Sequence, residues 1–202
     1  SGRPYNRRIV LEAIRLTGPT TRGEIAERVH LTVQTVSTIV RELEEQELIV
    51  SVREKPRGRG IPPSKLTVNP EGGHAVGIHL TPLGIDVALV NLRGDVVESR
   101  HRSASNPKPD EAFALIGEMV DELKASPCRG RLLGAGLALP GPFDVESISF
   151  VGPTTMTGWK DVDINSRLTE ATGLPAFMEN DMAAAALGEQ LYGLGQQISD
   201  YY

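Results

Sequence analysis

Gln34, Thr35, Ser37, Thr38 and Arg41 fall within one short stretch, and all carry hydrogen-bonding side chains. Amides, hydroxyls and guanidinium groups are the donors and acceptors that meet base edges in the major groove and phosphates beside it. These residues alternate with Val36, Ile39, Val40 and Leu43, whose spacing marks the apolar stripe of a helix. A stripe of that kind must face a core, so the polar set is expected to point outward near the helix start. Thr32 precedes the helix and suits its N-cap, because a hydroxyl can accept a backbone N–H that the helix leaves unpaired. It is counted with the same nucleic-acid set. Glu42, Glu44, Glu45 and Glu47 come later, where an acidic face would stay away from phosphate. An ordinary helical hairpin would show the stripe too. The cap, the spacing and the outward polar set agree on a recognition helix.

A second group lies in residues 54–63, EKPRGRGIPP. Arg57 and Arg59 flank Gly58, and Gly60 follows, so the two arginines have no bulky residue between or directly after them. Such a segment can lie in a minor groove, where arginines are drawn to the negative potential of narrow A·T tracts. The blander reading is a solvated loop.

The elements that must position these residues follow from the pattern. Ile25, Ala26 and Val29 mark a first helix and Leu31 a turn, which gives a helix-turn-helix. His30 stands where a tight turn usually has glycine, and His is among the residues tolerated at positive φ. Residues 5–16 form an earlier helix, ended by Gly18-Pro19, that completes a three-helix core. Residues 48–50 begin a strand and 65–68 return it, the two sides of a wing. Residues 69–73, NPEGG, read as a linker. The expected domains are therefore 1–68, a winged helix-turn-helix, and 69–202. In the second, residues 75–80, 85–92 and 96–102 read as an antiparallel meander. A helix follows at 110–124, a strand at 132–139, a helix at 162–172, a short strand at 176–178 and an Ala-rich helix at 181–192. That order predicts an α/β domain with a mixed sheet.

Composition agrees with two domains of different partners. The chain has 202 residues, 40% of them hydrophobic, and a net charge of −5. Residues 1–68 hold 12 Lys and Arg against 8 Asp and Glu, whereas residues 69–202 hold 9 against 18. The head gains from phosphate and the body would be repelled by it. No run is apolar enough to span a membrane, and no signal-peptide pattern is seen. The single cysteine, Cys128, excludes an internal disulfide and fits a reducing cytoplasm. The four histidines show no metal-ligand spacing.

Residues 134–144, GAGLALPGPFD, then Gly158-Trp159, then residues 179–193, ENDMAAAALGEQLYG, resemble the ROK family of repressors, open reading frames and sugar kinases. The wing segment and the Asn-Pro linker resemble its repressor branch. The resemblance implies an actin-like, hexokinase-like (ribonuclease H-like) fold with a sugar cleft between two lobes. The chain is then expected to stop within the second lobe. Asn180 and Asp181 are implied contacts of sugar hydroxyls, and Gly152, Thr154 and Thr155 lie in the region that closes over sugar. ROK kinases carry an Asp and a Gly-Gly-Thr at the first hairpin, where this chain has His79, Thr81 and Pro82. Proline has no N–H to donate, so that phosphate cradle is not expected. A base at Asp181 cannot transfer phosphate without a bound donor. The resemblance thus implies no catalytic residue, no enzyme, and no cofactor or metal within this chain. The family's zinc motif would lie downstream. The implied protein is a cytoplasmic, sugar-responsive repressor. It would bind double-stranded operator DNA as a homodimer or higher homo-oligomer, with no membrane partner. A sugar kinase with a DNA-binding head and a constitutive DNA-binding protein are the alternatives.

Overall fold

The computed structural model describes residues 2–52, 64–127, 131–140, 143–144, 149–150, 156, 158–180 and 184–185. It divides into two compact units, residues 1–73 and 74–202. None of the described helices is long and apolar enough to cross a membrane.

The first unit begins with helices α1 (Arg3–Thr17), α2 (Arg22–Val29) and α3 (Val33–Glu45). A proline in the first turn of α1 costs no hydrogen bond there. Thr21 opens α2 with a reciprocal capping box. Its hydroxyl accepts Glu24 N–H at 3.3 Å, and its own N–H donates to the Glu24 carboxylate at 2.7 Å. The helix ends at His30, whose φ of 53° is left-handed, as expected for that turn. Thr32 then caps α3 by accepting Thr35 N–H at 3.2 Å. Val10, Ile14, Ile25, Val36, Val40 and Leu43 are buried between the three helices. Each such side chain contributes about 1.5–3 kcal/mol on leaving water.

Strands β1 (Ile49–Val52) and β2 (Lys65–Val68) pair antiparallel, with Ile49 opposite Val68. They gain a third partner that the sequence pattern did not reveal. Thr20 N–H donates to Leu66 O at 3.0 Å, and Leu66 N–H returns to Thr20 O at 2.7 Å. The segment read as a linker is a 3-10 turn at Pro70–Gly72. Asn69 holds it by donating its amide to Glu47 O at 2.7 Å. A Cβ on Gly72 would lie 2.0 Å from that same carbonyl, so only glycine fits.

The second unit begins with the expected meander, β3 (His74–Thr81), β4 (Gly84–Asn91) and β5 (Val96–Ser103). Helix α4 (Pro109–Lys124) leads to β6 (Leu132–Leu139). A two-residue antiparallel ladder follows, β7 (Phe143–Asp144) with β8 (Ser149–Phe150), which was not anticipated. Helix α5 (Ile164–Thr172) and β9 (Ala176–Asn180) complete the described elements. The sheet order is β5-β4-β3-β6-β9, with β6 parallel to both β3 and β9. Helix α5 starts later than the expected residue 162, because Asp163 is its cap and accepts Ser166 N–H at 3.1 Å. Of the helix expected over 181–192, residues 184–185 are described and helical.

One face of the sheet is the core. Val76, Ile78, Ile85, Val87 and Leu137 pack there against Phe113, Ile116 and Val120 of α4 and Leu168 of α5. The loop before α5 is fastened by Trp159, which is fully buried and donates its indole N–H to Pro107 O at 2.9 Å. Its ring lies 5.6 Å from Phe113. Arg167 covers that phenyl ring at 4.9 Å and bonds Asp110 at 2.8 Å.

Candidate nucleic-acid interface and effector lobe

Helix α3 presents a narrower outward set than the pattern suggested. Gln34, Thr38 and Arg41 are exposed, whereas Thr35 and Ser37 are half-buried. The Thr35 hydroxyl lies 2.9 Å from that of Thr32, so it takes part in the cap. Thr38 donates its hydroxyl to Gln34 O at 3.2 Å, which leaves its oxygen lone pairs facing out. Val33, the first helical residue, is 52% exposed. Sequence reasoning passed over it. The available signal was an apolar residue directly after the cap and off the buried stripe.

The acidic half of α3 is held by basic partners. Glu42 pairs with Arg3 of α1. Glu44 pairs with Arg22 of α2 at 3.5 Å and accepts the Ser51 hydroxyl at 2.6 Å. Arg7 donates to the Gln46 amide oxygen. Exposed pairs of this kind contribute about 0–1 kcal/mol each, but together they neutralise two carboxylates beside the outward set. A cleft of about 520 Å³ separates α1 from α3. Arg3 and Asn6 line one side of it, and Gln34, Thr35, Thr38 and Glu42 the other. Nothing in the sequence could place Arg3 there, since 39 residues separate it from Glu42.

The support for α2 is electrostatic as well. Hydrogen bonds from the Thr21 backbone, the Thr21 hydroxyl and the Thr20 hydroxyl hold the Glu24 carboxyl below its ordinary 4.5. Arg57 and Arg59 lie outside the described residues. The strands that lead into and out of their segment are β1 and β2.

In the second unit, β9 ends at Asn180, whose backbone is in register with Leu139 at the end of β6. Ligands of open α/β sheets bind beside such carboxyl ends. The Asn180 side chain, Asp181, Gly152, Thr154 and Thr155 lie outside the described residues. The first hairpin is described. His79 is exposed, opposite Asp86 of β4 on one side and Ala138 of β6 on the other. Asp86 in turn meets His101 of β5, with Nδ1 at 2.8 Å. At the turn, Thr81 accepts Leu83 N–H at 3.2 Å and donates to Gly84 O at 3.3 Å. Pro82 has no N–H and the Leu83 N–H is engaged, so this turn offers phosphate no cradle of amides. No three His, Cys, Asp or Glu side chains among the described residues are grouped to hold a metal.

The model of the ROK family matches residues 75–201, and a model of winged helix-turn-helix DNA-binding domains matches residues 3–50. The xylose repressor of Bacillus subtilis (strain 168) is 28% identical over 192 residues, 93% of this chain and 49% of that protein. A crystal structure of a ROK family transcriptional regulator, a homologue of the E. coli MLC protein, matches with a TM-score of 0.73. It is 24% identical, covering 93% of this chain and 48% of that one. The inorganic polyphosphate/ATP-glucomannokinase of Arthrobacter sp. strain KM matches with a TM-score of 0.55 and 26% identity, covering 62% of this chain and 51% of that one. The chain spans about half the length of the curated relatives it matches.

Proposed function

The chain belongs to the ROK family, and from that premise we propose that it is the sensing and DNA-reading part of a sugar-responsive transcriptional repressor. The observation that carries this reading is the face of α3. Gln34, Thr38 and Arg41 are exposed on a helix that Thr32 caps and that its buried stripe of Val36, Ile39, Val40 and Leu43 fixes in orientation. In this reading the start of α3 enters the major groove, where Gln34 and Thr38 meet base edges. Arg41, with Thr35 and Ser37 at the rim and Thr32 at the helix end, serves the phosphates. Arg57 and Arg59 lie along the minor groove. The working unit is a homodimer on double-stranded operator DNA, with half-sites about one helical turn or a multiple apart. It acts in the cytoplasm.

The effector is a sugar, held by Asn180 and Asp181 with Gly152 and Thr154 at the rim. It acts by binding one lobe arrangement more tightly than the other, because equal affinity would shift nothing. The name of the Bacillus subtilis relative, a xylose repressor, supports this class of effector. The protein performs no phosphoryl transfer in this reading. The closed hairpin at Thr81 and Pro82 supports that. The similarity to a glucomannokinase favours the opposite reading, a kinase with a DNA-binding head.

The test is a selection of bound duplexes from a random-sequence DNA library, followed by titration of the selected duplex with a panel of sugars. Sequence-selective binding that one sugar weakens is the expected result. Selective binding that no sugar alters would leave a constitutive DNA-binding protein. ATP consumption dependent on sugar would make the protein a kinase.

A further inference from the structure

Gln34, Thr38 and Glu42 stand four residues apart on α3 and so share one ridge of the helix. The first two members are polar and exposed. The third is a carboxylate, the wrong charge to carry toward DNA. Arg3 answers it across the cleft from the first turn of α1, with Asn6 one turn further on. The pairing is lopsided. The Arg3 side chain is 78% exposed, whereas that of Glu42 is 26% exposed. The guanidinium therefore spends one edge on Glu42 and keeps other donors in water. Guanidinium has five donors in a planar fork that suits phosphate as well as carboxylate. An exposed pair of this kind is easily given up.

A helix about 10–12 Å across fills a major groove about 12 Å wide. Whatever flanks its leading ridge is therefore brought up to the phosphates that line the groove. Arg3 and Asn6 are what flank it. We propose that Arg3 is a phosphate contact of the DNA-reading face, and that Glu42 is its partner only in the free protein. On binding duplex DNA, Arg3 exchanges the Glu42 carboxylate for a backbone phosphate. Glu42 thus acts as a built-in competitor that lowers affinity for DNA of any sequence. This inference rests on the reading of α3 as the recognition helix.

The experiment measures binding of the full chain to a fluorescent mixed-sequence duplex of about 30 bp, between 50 and 200 mM salt. The variants are Arg3→Ala, Glu42→Gln and Arg41→Ala, with Arg93→Ala in the second unit as a charge control. Loss of one phosphate contact lowers the log–log salt slope by about 0.9. Arg3→Ala should therefore lose about three to four times more affinity at 50 mM than at 200 mM. Glu42→Gln should bind several-fold more tightly than the parent. The opposite signs are the signature of exchange. A pair that only braces α1 against α3 would make both variants worse, and that outcome overturns the proposal. Arg3→Ala behaving like Arg93→Ala while Arg41→Ala loses binding would also overturn it, yet leave the recognition helix in place. No binding by the parent chain at 50 mM would remove both.

Discussion

The indole N–H of Trp159 reaches the carbonyl of Pro107 at 2.9 Å, a buried bond across 52 residues of sequence. It fastens the loop before α5 to the segment that starts α4. Trp159→Ala should cost about 3–5 kcal/mol, the usual range for emptying so large a buried site. Trp159→Phe keeps most of the bulk but leaves the carbonyl unpaired, at about 1–3 kcal/mol. The loss should appear in the second unit alone. Trp159 is the only tryptophan, so urea unfolding of the variants is followed by circular dichroism rather than fluorescence.

Gly72→Ala sets a Cβ against Glu47 O, which is backbone and cannot turn aside. Overpacking of this kind costs about 1–3 kcal/mol. Gly23→Ala is the matched control, because its Cβ meets only the Thr21 hydroxyl at 3.9 Å. It should be neutral, or stabilise the first unit by up to about 1 kcal/mol through helix propensity. Thermal melting of residues 1–73 within the full chain separates the two.

The capping box at Thr21 predicts an acid-sensitive head. The Glu24 carboxyl is held below its ordinary 4.5 by hydrogen bonds from Thr21 and Thr20. A depressed folded value means that this stabilisation is complete above the unfolded value and is lost as pH falls through the folded one. Glu24→Gln retains a hydrogen-bonding side chain but does not titrate. The melting temperature of the first unit should exceed that of Glu24→Gln near pH 7, and the gap should close on titration to pH 3. A gap that stays constant with pH would contradict the assignment.

Gln34→Ala should weaken the selected duplex by about 1–3 kcal/mol and relax base preference at one position. Binding to mixed-sequence DNA should change little. Competition between the two duplexes reads the ratio directly.

Asp181→Asn keeps the size of the proposed sugar contact but replaces an acceptor by a donor. A site of paired hydroxyls loses about 1–3 kcal/mol when one buried group is mismatched. The variant should hold the selected duplex as the parent does, yet fail to release it at sugar concentrations that release the parent. Release at the same concentration would place the sugar elsewhere.

Local chemistry was the legible part of this chain. The left-handed His30, the Thr32 cap and the buried stripe of α3 each depend on residues a few positions apart, so the pattern carries them. The meander was legible for the same reason, because its strands are joined by short turns. Contacts between distant segments were not. Neither the Arg3–Glu42 pair nor the pairing of Thr20 with Leu66 leaves a periodic trace. The start of α5 was misjudged because Val162 continues the apolar pattern, while Asp163 decides where the helix begins. Gln34 and Thr38 were legible as outward residues. Thr35 was not seen to be shared with the cap, because a hydroxyl can serve either role and spacing does not choose between them.

Thr20 and Leu66 exchange two backbone hydrogen bonds, so the root of the wing and the entry to α2 form one stiff piece. That pairing ties strand β2 to the segment that opens α2. In the function proposed above, strands β1 and β2 and helix α3 would act as the two jaws of a caliper set to one opening. A duplex can satisfy both jaws only where adjoining grooves have the right widths. Groove width varies with base composition even at positions no side chain touches. On that reading, stiffness at this joint would make the head a gauge of DNA shape, and loosening it would broaden the range of sites accepted before weakening the grip on any one.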